Sequence, residues 1–406
     1  MASLVLTDSS QLTSDSGPMG SLVLTDSSQL TSDSQHLGIK AVKEMLNFES
    51  NPAHYQTCST LSTCYEEVAV VQLARHLPSG SLVAVKKFNM DRPKEEANLI
   101  QHEIILTRQL QHHNVLPYCA SFVVGSEVCV VSPFMAFGSC QNLLSNHFID
   151  GLPELAIAHI MRDILQGLDY IHKKGYIHRA IRASHILVSA CGRACLSGLR
   201  YACHIVENGR WQRNIHSFPL STSRNLNWLS PELLEQNIHG YNEKSDLYSV
   251  GVTVCELANG VVPFAGMPNT LMLTEKVRGC APLLFDCTTL PLYEELDPNQ
   301  QTLNVHHADS GVGDSVASTS NVQYKAMQER RFTEAFHQFA ELCLHKDPVL
   351  RPSANQMLAH SFFKQCRRGS ATVPELLYPV TPTCERRVDS QGIGNFSSVR
   401  FISDSS

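Results

Sequence analysis

The sequence predicts an α+β fold of two unequal lobes, the first small and β-rich, the second larger and α-helical. Three observations carry that reading. Valine-rich alternating segments are confined to residues 67–132, helical periodicity takes over after Gly138, and both ends of the chain are polar without any pattern that could bury a core. At 406 residues the chain has room for one large domain of roughly 250 to 300 residues plus polar extensions.

Residues 1–53 are rich in Ser, Thr and Asp, and Ser3–Ser16 recurs verbatim as Ser21–Ser34. So short and polar a repeat cannot bury enough apolar surface to order itself, and a disordered tail is expected there. From about residue 54 to 135, Glu67–Ala74, Ser81–Phe88 and Glu127–Ser132 alternate as strands, with a Pro-Ser-Gly turn at 78–80 between the first two. Glu95–Leu110 reads as one helix that places Leu99, Glu103 and Leu106 near one face. In the second lobe, about 136–366, Ala156, Ile160, Ile164, Leu168 and Ile171 fall at spacings of three and four, which predicts a helix over Glu154–His172 ended by Gly175. Further helices are expected at Glu243–Asn259, Thr270–Arg278, Glu334–Leu344 and Ala354–His360. The stretch 288–331 lacks periodic apolar residues and is expected to be a disordered surface insertion, and 367–406 a mobile tail.

Composition excludes several classes of function. Lys and Arg total 32 against 38 Asp and Glu, a net charge of −6 without long single-sign runs, which argues against a nucleic-acid partner. The longest apolar runs, such as Val128–Val131, fall far below the roughly 18 residues of a membrane span, and no basic-then-apolar signal opens the chain. A soluble intracellular protein with no membrane partner is expected. The 14 cysteines form no C-x-x-C pairs, so neither zinc nor a disulfide framework is expected, and no metal site.

Six ordered segments resemble the landmarks of a bilobal protein kinase-like fold over about residues 54–366. Val83-Ala84-Val85-Lys86 is similar to the strand bearing the phosphate-pairing lysine, and Glu103 stands where its helical partner belongs. His178-Arg179-Ala180-Ile181-Arg182-Ala183-Ser184-His185 lies where a kinase reads H-R-D-x-K-x-x-N, and Gly198-Leu199-Arg200 where it reads D-F-G. Ser230-Pro231-Glu232, Asp246–Gly251 and Arg351-Pro352 match the framework landmarks. Ala180 thus replaces the general base, His185 one metal ligand and Gly198 the other. Phosphoryl transfer is positioning plus charge neutralisation, so these three substitutions remove its chemistry while the frame stays.

Closer runs resemble the STRAD (STE20-related adaptor) pseudokinases, nearer the alpha form: Ser132–Ser139, Ala183–Leu187, Leu196–Arg200, Trp228–Glu232, Lys244–Gly251, Cys255–Gly260, His360–Gln365 and, in the tail, Pro374-Glu375-Leu376-Leu377. That resemblance implies a catalytically inactive allosteric activator that engages a Ser/Thr kinase of the liver kinase B type as a pseudosubstrate, together with a helical-repeat scaffold of the calcium-binding-protein-39 family, in the cytoplasm and nucleus. It also implies ATP held without magnesium. The family's scaffold-anchoring Trp-Glu-Phe ending has no counterpart in the closing Asp404-Ser405-Ser406, so tail-mediated scaffold binding does not carry over.

Each candidate residue has two readings. Lys86 and Glu103 either align phosphates or only fix the helix. Arg200 and Arg182 either replace the metal's positive charge or serve elsewhere, Arg200 facing solvent. The backbone of Pro133 and Met135, with Val85 or Ala84 above and Leu187 below, either receives adenine or lines a core crevice. Leu61–Glu67, in the place of the phosphate-cradling glycine loop, contains no glycine, which argues against tight nucleotide binding. His185, beside Ile186 and Leu187, reads as a packed residue. Glu232, Asp246 and Arg351 read as framework. Between Gly198 and Glu232, Arg200, Arg210, Trp211, Arg213 and Phe218 form an aromatic-among-arginines set suited to an interface, or to packing on their own lobe. The rival functions are an ATP sensor and an active kinase with relocated acids, for which Glu66, Glu67 and Asp163 are the nearest candidates by sequence.

Overall fold

The computed structural model describes residues 48–383 except 65–67, 92–93, 208, 213, 219–222, 236–238 and 291–320. Strands β1 (Tyr55–Cys64), β2 (Ala69–His76), β3 (Leu82–Asn89), β4 (Ala120–Val124) and β5 (Glu127–Pro133) form one antiparallel sheet in the order β1-β2-β3-β5-β4. Its pleat gives it two buried faces. Val83 and Val85 point to one, with Ala74, Cys129 and Val131, while Phe88 points to the other with Ala69, Val130 and Ile100 of helix α1 (Lys94–Gln109). Lys86, two residues before Phe88, therefore faces α1.

Two of these strands escape a sequence reading. β1 is polar and almost wholly exposed, with register irregularities between Thr57 and Ser59 and between Thr60 and Ser62, so it is an edge strand held by backbone pairing rather than by a buried face. β4 spans five residues, too few to show a period. Leu61–Cys64, expected in a loop over the cleft, belong to β1, and Tyr65–Glu67 lie outside the described residues.

The second lobe is built on α3 (Glu154–Lys173) and α5 (Lys244–Asn259), with short α2 (Cys140–Asn146) and α4 (Pro231–Glu235) beside them. α5 is buried at every position from Ser245 to Asn259, and its polar residues, Asp246 and Glu256 among them, are taken up by hydrogen bonds inside the lobe. α8 (Glu334–Leu344) packs along α5, α9 (Ala354–Leu358) against α3 and α6 (Asn269–Arg278) against α4, while α7 (Asn321–Glu329) precedes α8 in the chain. Phe336 of α8 stacks on Phe362 at 4.6 Å between ring centroids. Ser353 and Gln356 close a capping box that sets the start of α9.

Of the stretch 288–331, expected to be a disordered insertion, residues 291–320 lie outside the described residues, and both flanks have structure. Thr288 and Thr289 bond to Asp286, α7 occupies 321–329, and the Arg330 guanidinium donates to the carbonyls of Phe285 and Asp150. The tail expected after residue 367 also has structure: α10 (Val373–Leu376) starts at a Thr372–Glu375 capping box, and Val373 and Leu377 enter the main core. The repeat at 3–34 lies outside the described residues.

Candidate functional site

Short strand β6 (Gly138–Ser139) pairs with a hairpin (β8, Ile186–Val188; β9, Ala194–Leu196) that carries residues of the cleft floor, and β7 (Tyr176–Ile177) pairs with β10 (Cys203–His204). Lys86 Nζ donates to Glu103 Oε1 at 2.7 Å, and the Tyr118 hydroxyl donates to the same oxygen at 2.6 Å, so strand β3 and helix α1 are joined at a buried carboxylate. Below them, Leu116, Met135 and Cys195 form a buried apolar group with Leu187 against it. Burial pushes the Cys195 thiol up to about 11, so it packs as an inert hydrophobe. Pro133 ends β5 opposite Val83, and the Met135 carbonyl accepts from the Gly138 N–H at 2.9 Å.

Asp246, fully buried on α5, organises the loop that bears Ala180. It accepts from His172 Nε2 at 2.8 Å and from the backbone N–H groups of His178 and Arg179 at 2.7 and 2.8 Å. Burial alone would raise its pKa, but these donors bring it below the ordinary carboxylate range. Reaching Asp246 puts Arg179 at φ 61°, a conformation that non-glycine residues rarely adopt. Its guanidinium donates to the Tyr201 carbonyl at 2.5 Å and the Tyr241 hydroxyl at 2.9 Å, which ties the loop to the segment after Gly198. Glu232 and Arg351 form a buried bidentate pair at 2.6 and 2.8 Å.

Ala180, His185 and Gly198 meet at one point. The His185 Nδ1–H donates to the Ala180 carbonyl at 2.6 Å, and a β-carbon built on Gly198 would lie 2.6 Å from the imidazole ring. Burial, with Arg182 nearby, holds His185 well below the usual imidazole range, so the ring is neutral. The three residues bring a methyl, a neutral ring and a bare Cα together at this point. Leu199, the counterpart of the apolar D-F-G residue, is buried in the main core.

Two arginines leave their expected places. Arg200 does not face solvent: it is 2% exposed and paired with Glu96 in the first turn of α1, which removes it from the interface set and commits its charge to the helix. Arg182 donates to the Arg224 carbonyl at 3.1 Å and lies 5.4 Å over the Trp228 ring, turned toward the loop before Pro231. Among the interface candidates, Arg210 and Trp211 project from a two-strand turn (β11, Val206–Glu207; β12, Arg210–Trp211), with Trp211 58% exposed. Phe218 is half-buried against Ile177, Leu229 and Tyr241 of its own lobe, a correction to its place in that set, and Arg213 lies outside the described residues. Of the relocated acids, Asp163 accepts from the Ala194 N–H at 3.0 Å as framework, and Glu66 and Glu67 lie outside the described residues. A groove of about 590 Å³ opens away from Lys86, lined by residues including Lys173, Ile205, Trp211 and Glu243.

Sequence reasoning missed Glu96, Tyr118, Leu116, Cys195 and, most of all, Glu256. Glu256 Oε2 accepts from the Ala183 N–H at 3.1 Å and from Trp228 Nε1 at 2.8 Å, and burial pushes its pKa up to about 7. A carboxylate within the mostly apolar run 250–258 was the available signal. Among the described residues, no helix is long and apolar enough to cross a membrane, and no group of three or more His, Cys, Asp or Glu residues is arranged to hold a metal ion.

These features define a protein kinase domain, and the family model of that description matches residues 67–363. STE20-related kinase adapter protein alpha of Bos taurus is 44% identical over 369 residues, covering 89% of this chain and 98% of the relative. The Homo sapiens alpha protein is 43% identical over 341 residues, 83% of this chain and 79% of the relative. The Homo sapiens beta protein is 40% identical over 328 residues, 79% and 78% respectively. The chain belongs to the STE20-related kinase adapter family and is more similar to these alpha members than to the beta one.

Proposed function

We propose that this chain is a catalytically inactive pseudokinase that binds a Ser/Thr kinase of the liver kinase B type as a pseudosubstrate and activates it allosterically, in company with a calcium-binding-protein-39-type helical scaffold. The observation that carries the reading is the meeting of Ala180, His185 and Gly198, which supplies no base and no metal ligand inside an intact frame. A positioned base alone is worth roughly 100- to 10,000-fold. The frame that remains is closed: Lys86–Glu103 and Arg200–Glu96 both hold α1 against the cleft. The adapter names of the relatives support a binding role, and exposed Trp211 beside Arg210 supports the turn as part of the docking face.

The cleft fits only part of the nucleotide implied by the resemblance. Its apolar floor suits a planar base, but Arg200 is committed to Glu96 and Arg182 to Arg224 and Trp228, so the cations for an unmetallated triphosphate are engaged elsewhere. No step of the proposed activation passes through ATP.

Purified chain incubated with ATP, magnesium and a generic protein substrate is expected to transfer no phosphate, and adding it with scaffold to a liver kinase B-type enzyme is expected to raise that enzyme's rate at least tenfold. Transfer by the chain alone, abolished by Lys86→Ala, would overturn the reading. A cytoplasmic and nuclear site of action belongs to the same proposal.

A further inference from the structure

The C-terminal segment does not leave the second lobe after its last core helix. Thr372 opens α10, Val373 and Leu377 bury themselves in the main core beside α3, and the chain then turns back toward the cleft. Its path passes Gly192 in the turn of the β8–β9 hairpin, where a β-carbon would lie 2.5 Å from Pro374 Cδ and 2.9 Å from Val373 Cβ. That turn is therefore shaped to the segment as well as to its own φ of +83°. Pro382 is buried, and at Thr383 both the backbone N–H and the hydroxyl donate to the carbonyl of Ala136, at 3.1 and 3.2 Å.

Ala136 adjoins Met135 in the connection between the lobes. Beside it, the Phe137 N–H donates to the Val188 carbonyl at 3.0 Å and the Gly138 N–H to the Met135 carbonyl. The hinge is thus held from one side by β8 and from the other by a strap whose far end is anchored in the second lobe. We propose that residues 372–383 act as an intramolecular ligand of the hinge, coupling the C-terminal segment to the mouth of the cleft. Any motion that opens the lobes about Ala136 must first release Thr383, and release of the segment loosens the hinge in turn, since coupling is reciprocal.

The test is hydrogen exchange on the full chain and two variants. Thr383→Pro removes the N–H and the hydroxyl together, while a chain ending at Val380 keeps the Val373 and Leu377 anchors and lacks the contact together with everything from Thr381 onward. Both are expected to accelerate exchange at Phe137 and Gly138 by about fivefold, the signature of a local opening, with the amides of Leu247–Glu256 in α5 unchanged. Thr383→Val, which keeps the N–H, is expected to fall between. Unchanged exchange at Phe137 and Gly138 in both variants would overturn the proposal, and so would a uniform acceleration that includes α5, because that would reduce the strap to general support of the fold.

Discussion

A β-carbon at Gly198 falls within 2.6 Å of the His185 ring, so a side chain at 198 and the ring at 185 compete for the same space. Gly198→Asp alone is expected to cost about 2 to 3 kcal/mol by overpacking, read from denaturant midpoints, whereas Gly198→Asp with His185→Asn recovers most of that loss, a coupling of about 1 to 2 kcal/mol. Additive costs would show that the ring is free to move aside. Glu256 yields a second prediction. Its folded pKa of about 7 lies above the ordinary 4.5, so its contribution is fully present below pH 4.5 and is lost as pH rises through 7. Between those limits the loss reaches about 3 kcal/mol. Glu256→Gln keeps one oxygen for the Ala183 and Trp228 donors and carries no charge. The variant is therefore expected to gain stability relative to the parent as pH rises from 5 to 8, by urea unfolding. A constant difference across that range would contradict the assignment. Position 256 is visible in the sequence, but the pKa that gives it meaning arises from burial between α5 and the Ala183 loop, which no local pattern reports.

At the scale of elements, the ties that hold α1 include three: Glu103 to Lys86, Glu96 to Arg200, and the His102 ring to the Ala202 carbonyl at 2.8 Å. Two of the three reach the segment just after Gly198, so that segment and the helix adopt one pose together. Glu96→Ala leaves a buried guanidinium short of its carboxylate and is expected to cost about 3 kcal/mol, more than Arg200→Met, which removes the charge and keeps the volume. Equal costs in a double-mutant cycle would show that the pair carries no special load. The elements that were legible in the sequence share a property. α3 and α8 each turn an apolar face to the core, so their period is written in their apolar residues, while β2, β3 and β5 are apolar, valine-rich segments that fill both faces of the sheet. β1, α2, α4 and α10 are polar, short or both, and owe their form to pairing and packing against the rest of the chain.

For the molecule as a whole, the docking face we propose includes the exposed turn at Trp211. Trp211→Ala is expected to leave the thermal midpoint within about 2 °C, because the side chain contributes little to the core, while weakening capture of the partner kinase at least tenfold. Loss of stability without loss of binding would assign the tryptophan to its own lobe.

The sequence by itself determined the lobes, the order of the landmarks and the absence of acids at Ala180 and Gly198, since residue identity and period are local quantities. Only the tertiary structure decided where the charges go. Arg200, Arg182 and Glu256 take partners that are distant in sequence, and a buried charge is governed by its nearest counter-charge and donors in space rather than by its neighbours along the chain. The return of Thr383 to Ala136 joins residues 247 positions apart, and its physical cause is the same: the hinge carbonyl and the buried core beside α3 lie where only the folded chain can bring one segment to both.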